Sequence, residues 1–221
     1  VLFSSGKDSC YSAHIMKRQN YDLTCLITMK SKNPDSYMFQ TASVNMVELQ
    51  AEAMNLSLIE QETEGEKETE LQDLELALQN AKDTYKIEGV VSGAVFSTYQ
   101  RDRIEKICDK LGLKIFSPLW HTDPAQDMKE LLQQKFTFVL SAVAADGFDD
   151  SWLNQIVTED TLHKLNNIKG IMVNGEGGEF ESLVLDCPLF NKKIELLDTE
   201  IVMDSSCSGR LIIHKAKLTD K

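Results

Sequence analysis

The residues whose types and spacing could do chemistry stand at the very start of the chain. A short apolar run, residues 1–3, leads into Ser4-Ser5-Gly6-Lys7-Asp8-Ser9, and a helical pattern follows. Backbone amides at a helix start bind anions, and a glycine lets the backbone approach the anion closely. The lysine supplies a positive charge for phosphate oxygens, and the aspartate could hold Mg²⁺ between phosphates. The segment predicts a phosphate-binding loop.

Two familiar nucleotide-binding loops do not fit this segment. A Walker A loop has Gly-x-x-x-x-Gly-Lys followed by Ser or Thr, but here Asp8 follows Gly6-Lys7 and Val1 stands five positions before Gly6. The dinucleotide pattern Gly-x-Gly-x-x-Gly requires partner glycines that Gly6 lacks. An ordinary strand-to-helix turn capped by serine is the purely structural alternative.

A second polar segment, residues 93–103, follows a predicted strand and reads Gly-Ala-Val-Phe-Ser-Thr-Tyr-Gln-Arg-Asp-Arg. We expect its polar side chains to face the same crevice as the opening loop: Ser97, Tyr99, Gln100 and Arg103. Arg103 could hold a phosphate or a carboxylate, and Tyr99 could stack on a ring. The alternative, that Tyr99 and Gln100 only cap a helix, stays open.

A third segment, residues 174–186, contains Gly175-Glu176-Gly177-Gly178-Glu179-Phe180-Glu181. Its glycines allow a tight backbone course, so its three carboxylates are expected to converge on one loop. Such a group could accept protons from ammonium, orient ammonia or bind magnesium. A glycine-rich turn with solvated acids is the alternative.

The elements that must position these segments alternate between strand and helix in the first half of the chain. Strand-like runs are residues 1–3, 23–29, 56–59, 89–92 and 113–116, and amphipathic helical spacing lies between them. This alternation predicts an α/β fold with a mostly parallel sheet, whose ligands bind at the carboxyl ends of the strands. Residues 60–70, rich in Glu, Thr and Lys, are predicted to be a solvated loop or a mobile lid.

The pattern changes near residue 122, which predicts two domains, residues 1–122 and 123–221. Asp123-Pro124 is typical of a helix start, and the helix is expected to run to residue 134. An apolar run at 136–145 and helical stretches at 151–156 and 160–165 follow. Strands are expected at 171–173, 182–185, 193–197 and 210–217, so the second part is predicted to be smaller and α+β.

Composition limits the partners and the compartment. A net charge of −12 disfavours direct nucleic-acid binding, and no apolar stretch approaches the length of a membrane span. The five cysteines are scattered and never in Cys-x-x-Cys spacing, which argues against disulfides and zinc and predicts a reducing compartment, the cytoplasm. Val1 is expected to be the second or a later residue of its strand, so residues are expected to precede it. An oligomer is compatible with the sequence.

The three segments together resemble the diphthine–ammonia ligase family of N-type ATP pyrophosphatases, whose pyrophosphate loop is usually written Ser-Gly-Gly-Lys-Asp-Ser. The similarity runs over nearly the whole chain and includes residues 35–39, Asp-Ser-Tyr-Met-Phe. Ser5 stands where the family usually has glycine, and Gln40 stands where members often carry histidine. The resemblance implies a Rossmann-like parallel sheet of the adenine nucleotide alpha-hydrolase-like (HUP) type with a smaller C-terminal α+β domain.

The resemblance also implies an activity: ATP activates the carboxylate of diphthine on elongation factor 2, ammonia attacks the acyl-adenylate, and diphthamide, AMP and pyrophosphate result. It implies four catalytic residues, Lys7, Asp8, Glu176 and Glu179, with Asp8 also holding Mg²⁺. It implies that ATP is bound by Ser4, Ser5, Gly6, Lys7, Asp8, Ser9 and Gly93. It implies that the substrate is bound by Ser97, Tyr99, Gln100, Arg103, Glu176, Gly177, Gly178 and Glu181.

Two other functions remain open from the sequence. Related pyrophosphate-loop proteins transfer sulfur to tRNA, which would require paired reactive cysteines and a basic RNA-binding surface. A non-catalytic ATP or AMP sensor would need only the nucleotide loop. Neither reactive cysteine pairs nor a basic surface is visible in the sequence, and the reaction product separates an adenylating enzyme from a sensor.

Overall fold

Helices and strands alternate through the first half of the protein, as the apolar spacing predicts. The computed structural model describes residues 1–31, 46–65 and 69–221. The first-half elements are α1 (Lys7–Arg18), β1 (Cys25–Ser31), α2 (Val47–Met54), β2 (Ser57–Thr63), α3 (Thr69–Tyr85), β3 (Gly89–Val91), α4 (Thr98–Leu111) and β4 (Lys114–Phe116). The predicted motif at 35–39 and Gln40 lie outside the described residues.

Residues 1–3 are the central strand segment of a parallel sheet. On one side, the Phe3 amide donates to the Ile27 carbonyl of β1 over 2.8 Å, and on the other the Leu2 amide donates to the Val91 carbonyl of β3 over 2.9 Å. Because β1 pairs with β2 and β3 with β4, both in parallel, the order is β2, β1, residues 1–3, β3, β4. Ser4 therefore leaves the sheet at the carboxyl end of its middle strand. The predicted α/β class is confirmed.

The second half forms a smaller antiparallel sheet with two helices. Its elements are α5 (Pro124–Gln133), β5 (Thr137–Ala144), a 3-10 turn (Asp150–Trp152), α6 (Glu159–Leu165), β6 (Phe180–Asp186), β7 (Lys193–Met203) and β8 (Ser208–Thr219). The strand order is β6-β5-β8-β7. As expected, Asp123 caps α5, since its carboxylate accepts from the amides of Ala125 and Gln126, and Pro124 opens the helix.

The apolar core continues from the first half into the second. One cluster of buried side chains includes Phe3 and Cys10 near the opening loop, Met128 on α5, Phe138 on β5 and Leu183 on β6. A separate cluster lies between α3, α4 and the parallel sheet. The domain boundary near residue 122 stays a prediction, and core packing crosses it. Strand β6 is thereby held directly against α1.

The prediction of a solvated loop at 60–70 is wrong at both of its ends. Residues 60–63 complete β2, where Glu60 lies opposite Thr28 of β1 and forms an ion pair with Lys30. The negative charge of Glu60, which suggests a solvated loop, is thus neutralised by Lys30 on the neighbouring strand. Thr69 begins α3, so the helix starts earlier than the acidic composition suggests.

Two predicted elements of the second half are also absent from the described structure. Residues 151–156 contain only the 3-10 turn, because Leu153 and Ile156 form isolated bridges with β5 instead of helical turns. Residues 171–173 form no strand. Their loop is closed by a side chain, since the Met172 amide donates to the Glu179 carboxylate over 2.7 Å. None of the helices in the described parts of the chain is long and apolar enough to cross a bilayer.

Candidate active site

A cleft of about 380 Å³ opens at the carboxyl ends of the parallel strands, and all three polar segments line it. The opening loop contributes Ser4, Asp8 and Ser9; the second segment contributes Gly93, Ala94, Ser97 and Gln100; the acidic segment contributes Gly175, Glu176, Gly178, Phe180 and Glu181. The parallel strands and α4 contribute apolar side chains to its lining: Leu2, Phe3, Ile27, Met29 and Ile104. Seven predicted site residues do not line it: Ser5, Gly6, Lys7, Tyr99, Arg103, Gly177 and Glu179.

The opening loop bends sharply at Ser5 before α1 begins. Ser5 is fully buried and has φ +68°, a left-handed conformation that glycine adopts more easily than serine. Its carbonyl accepts two hydrogen bonds, from the Val184 amide over 3.1 Å and from Gln50 Nε2 over 3.0 Å. The bend turns the chain so that the start of α1 faces the cleft.

Helix α1 begins at this bend with Gly6 as its N-cap, a residue that has no side chain to accept from the first amides, so such amides could bind an anion. Ser9 stabilises the loop from within, because its hydroxyl donates to the Gly6 carbonyl over 3.0 Å and accepts from the Ser4 amide over 3.3 Å. One amide is already bonded, since Lys7 N donates to the Ser182 hydroxyl over 3.1 Å. The Lys7 amide is therefore engaged by β6 and does not face the cleft.

The Lys7 side chain lies behind the cleft wall and pairs with its neighbour. It is 2% exposed, and its Nζ lies 2.8 and 3.0 Å from the two carboxylate oxygens of Asp8. Nζ also lies 5.6 Å from the centre of the Phe180 ring. Asp8 itself lines the cleft. A ligand in the cleft therefore contacts the Asp8 carboxylate, whose negative charge is balanced by the ammonium group of Lys7.

Replacing Ser5 with glycine tests whether the left-handed bend is strained. A non-glycine residue in this conformation costs about 1–2 kcal/mol, and the extra freedom of glycine in the unfolded chain offsets about 0.5–1 kcal/mol of the relief. We expect Ser5→Gly to unfold with a free energy equal to or up to about 1 kcal/mol above that of the wild type, with ATP affinity retained. Denaturant titration and ATP titration measure both quantities. A loss of ATP binding would show that the serine side chain itself is needed.

The second segment contributes a helix start to the cleft wall. The Ser97 side chain caps α4 by accepting from the Gln100 amide over 3.3 Å, and both residues line the cleft. Tyr99 and Arg103 contact each other instead, with the guanidinium carbon 3.4 Å from the centre of the tyrosine ring. The cap is thus Ser97 rather than Tyr99, and the phosphate-binding and ring-stacking roles of Arg103 and Tyr99 stay predictions.

Gly93, two residues after β3, lies directly against the opening loop. A Cβ built there would lie 3.0 Å from the Ser9 amide nitrogen and 3.1 Å from the Asp8 carbonyl carbon, both backbone atoms. Contacts this short require the start of α1 or the segment at Gly93 to give way by a few tenths of an ångström. We therefore expect any residue larger than glycine to displace the amides at the start of α1.

We expect Gly93→Ala to weaken ATP binding by about ten-fold or more, because overpacking displaces the anion-binding amides as well as destabilising the fold by about 1–3 kcal/mol. Gly89→Ala is the matched control. Gly89 begins β3, and its added Cβ would lie 2.7 Å from the Phe116 ring, away from the cleft. Calorimetric ATP titration of both variants measures the effect. Equal affinities would contradict a role for Gly93 in shaping the loop.

The acidic segment places two carboxylates in very different surroundings. Burial, with repulsion from Asp8, raises the pKa of Glu176 to about 7, and this shift is opposed by Lys7 and by a hydrogen bond from the Phe96 amide. Glu179 is 9% exposed and points away from the cleft to the Met172 amide, where it closes the loop. Gly175 and Gly178 have φ +80° and +85°, which permits the tight course. Glu176 is thus the carboxyl that can exchange protons near neutral pH.

Asp8 fits a magnesium ion that arrives with a nucleotide. No group of three or more His, Cys, Asp or Glu side chains in the described residues could hold a metal ion by itself. Magnesium usually keeps several waters and is bound by one or two carboxylates together with substrate phosphates. Asp8, on the cleft wall beside the start of α1, supplies one such carboxylate.

Two residues of the loop's surroundings are missed by sequence reasoning. Ser182 lies inside the third segment, yet its contact with the Lys7 amide requires β6 to pack on α1. Gln50 is fully buried on α2 and bonds to the loop, although nothing in its neighbourhood distinguishes it from a solvent-facing glutamine.

Comparison with known proteins assigns both halves of the chain to one family. Residues 1–115 match the family model described as diphthamide synthase N-terminal domain, and residues 123–219 match the one described as diphthamide synthase C-terminal domain. The chain belongs to the diphthamide synthase family. The predicted family and its ligase class are confirmed.

Several curated relatives are named diphthine–ammonia ligase. The mouse (Mus musculus) protein is 35% identical over 93% of this chain and 85% of its own length, and the zebrafish (Danio rerio) protein is 36% identical over 92% and 88%. The Schizosaccharomyces pombe protein is 33% identical over 100% of this chain but only 39% of its own length. A solved structure titled as a predicted subunit of tRNA methyltransferase from Methanocaldococcus jannaschii aligns with a TM-score of 0.39 at 15% identity, over 85% of this chain and 95% of that one. A likeness that distant supports no functional conclusion.

Proposed function

We propose that this chain is a diphthine–ammonia ligase that uses ATP to convert diphthine on elongation factor 2 to diphthamide. The observation that carries the proposal is the composition of the cleft. The start of helix α1, which has the sequence of a phosphate-binding loop, lies on one side, and Glu176, whose pKa is raised to about 7, lies on the other. The family relation supports the reaction class. Residues 1–122 would bind ATP, and residues 123–221 would supply the acidic side of the site.

In the first half-reaction a substrate carboxylate oxygen attacks the α-phosphorus of ATP, and the bond to pyrophosphate breaks. The apolar residues that line the cleft would take the adenine, and amides at the start of α1 would bind phosphate oxygens. Lys7 would stabilise charge on the departing pyrophosphate, and Asp8 would hold the magnesium ion that neutralises it. Binding of that ion would draw Asp8 away from Lys7 and free the lysine charge.

In the second half-reaction ammonia attacks the acyl carbon, AMP leaves with the bonding electrons, and a proton must be removed from nitrogen. Glu176 is the group suited to accept that proton, because its pKa of about 7 keeps it a usable base near neutral pH. Glu181 also lines this side of the cleft and would help to hold the acceptor. Glu179 would act by keeping the loop closed.

The sulfur-transfer alternative finds no support in the cysteines. All five lie in described parts of the chain and are free thiols. Burial raises the pKa of Cys10, the one nearest the opening loop, well above its ordinary value, so it is held as an unreactive thiol. Buried free thiols also fit a reducing compartment, so we propose the cytoplasm as the site of action.

Identification of the ATP products tests the proposal against a sensor or a phosphate-transfer enzyme. ATP labelled on the α- or γ-phosphate is incubated with protein, magnesium, ammonium and elongation factor 2 that carries diphthine. We expect labelled AMP and labelled pyrophosphate in equal amounts, only when the acceptor protein is present. Formation of ADP and phosphate, or no turnover, would contradict the adenylation mechanism.

A further inference from the structure

Strand β6 of the C-terminal sheet is hydrogen-bonded directly to the opening loop. The Val184 amide donates to the Ser5 carbonyl over 3.1 Å, and the Ser182 hydroxyl accepts from the Lys7 amide over 3.1 Å. These partners are far apart in sequence, 175 residues in the case of Lys7 and Ser182. The conformation of the loop therefore depends on a strand from the other half of the chain.

Gln50 on α2 joins the two backbones at the same point. It is 0% exposed, and its Nε2 donates to the Ser5 carbonyl over 3.0 Å and to the Val184 carbonyl over 2.8 Å. Both acceptors are carbonyl oxygens, which fixes the orientation of the amide, because the opposite orientation would set oxygen against oxygen. Its Oε1 is buried with no hydrogen-bond partner among the described residues. An unsatisfied buried oxygen is tolerated here to keep two donors on the loop and the strand.

These bonds meet where the loop most needs support. Ser5 has a left-handed backbone that serine adopts reluctantly, so the bend persists only when its surroundings hold it. The Ser5 carbonyl accepts two hydrogen bonds, and the amide of Lys7, two residues further on, donates a third to Ser182. The same strand begins with Phe180 and Glu181, which line the cleft on its acidic side.

We infer that Gln50 and Ser182 are positioning residues that set the phosphate loop and connect it through β6 to the acidic side of the site. The inference rests on the proposed function in one respect, namely that the loop binds the phosphates of ATP. With the connection intact, the amides at the start of α1 are held ready for the anion, and Glu181 keeps a fixed distance from them. Without these hydrogen bonds, the bend at Ser5 relaxes, and the distance between the loop amides and Glu181 is no longer fixed.

The test uses Gln50→Met, which keeps the volume of the side chain but removes both donors. Hydrogen exchange of the loop amides is followed in the full chain without any nucleotide, and ATP affinity is measured separately by calorimetry. Ala77→Gly is the matched control, because it weakens α3 within the other core cluster and touches neither the loop nor β6. Ser182→Ala is the milder variant, since it removes one acceptor and leaves Gln50 in place.

We expect Gln50→Met to speed exchange of the amides of residues 5–9 by about ten-fold or more and to weaken ATP binding by a similar factor, with the control unchanged in both. Ser182→Ala is expected to shift both quantities in the same direction by a smaller factor, and it decides the question if Gln50→Met fails to fold. Exchange and affinity equal to those of Ala77→Gly in both variants would overturn the inference. If the wild type itself does not bind ATP, the proposed function fails, while the exchange rates still decide the role of Gln50.

Discussion

Lys7→Ala lowers the rate of AMP formation by about 10²- to 10³-fold or more, because it removes the positive charge that stabilises the departing pyrophosphate. The side chain is buried behind the loop and paired with Asp8, so its charge lies within reach of the phosphate site in a region of low dielectric. Pre-steady-state measurement of AMP at saturating ATP isolates this step from binding and product release.

Loss of Lys7 also leaves the Asp8 carboxylate without its partner, so a charge-matched variant is needed. Lys7→Met combined with Asp8→Asn removes both charges and avoids an unpaired carboxylate on the cleft wall. Because Asp8 is also the proposed magnesium ligand, the two variants are compared in ATP affinity without magnesium, which shows how much of the loss in the single variant is repulsion of ATP by Asp8. Folding is checked by denaturant titration of each variant. If folded Lys7→Ala forms AMP at the wild-type rate, the loop has no catalytic role.

Glu176→Gln lowers amide formation by about 10²- to 10⁴-fold, the usual contribution of a positioned general base. The wild-type rate is expected to rise with pH and to level off above about pH 7, because Glu176 must ionise before it can accept a proton. The variant should lose this dependence while its ATP affinity changes little. Amide formation is measured over a range of pH on both sides of that value, with saturating ATP and ammonium.

The raised pKa of Glu176 also predicts how the stability of the fold depends on pH: the rate of amide formation rises with pH, whereas the free energy of unfolding falls. In the folded protein Glu176 keeps its proton up to a pKa of about 7, whereas the ordinary pKa of a glutamate, which applies in the unfolded chain, is 4.5. The folded state therefore binds more protons between these values, and stability falls as pH rises through this window. Glu176→Gln should match the wild type near the lower value and be more stable by about 1–2 kcal/mol above the upper one, after allowance for solvent screening.

Glu195→Gln is the control for both effects, since Glu195 is exposed on β7 and pairs only with the surface residue Lys217 among the described contacts. Its amide formation and its stability in alkaline solution should equal those of the wild type. If Glu176→Gln has the same rate and the same pH dependence as this control, the acidic segment has only a structural role. The assignment of Glu176 as the proton acceptor would then be wrong.

Much of the fold follows from the sequence because its signals are local. Alternating strand and helix patterns predict a parallel sheet, and a parallel sheet brings the segments after residues 1–3 and after β3 to one edge. The acidic segment carries its own glycines, which by themselves indicate a tight loop. The meeting of the first two segments could be predicted on these grounds, whereas the approach of the acidic segment depends on the packing of β6 against α1. The individual roles of the site residues stay predictions.

Other features depend on contacts distant in sequence. Glu60 lies in a strand because Lys30 on the neighbouring strand neutralises it, and local composition carries no trace of that pair. Gln50 is buried because β6 supplies a carbonyl 134 residues later. Glu179 turns away from the cleft because the Met172 amide offers it a hydrogen bond, so three acids in one segment do not all serve one site.

Mass analysis of the acceptor protein tests the central claim most directly. Elongation factor 2 that carries diphthine is incubated with this protein, ATP, magnesium and ammonium, and the modified peptide is then measured, with Lys7→Ala as the inactive control. We expect conversion of the carboxylate to the amide, a loss of about 1 Da that depends on ATP and becomes zero when ¹⁵N-ammonium replaces the ordinary isotope, because amidation exchanges OH for NH₂. An unchanged peptide mass with folded protein and saturating substrates would contradict it.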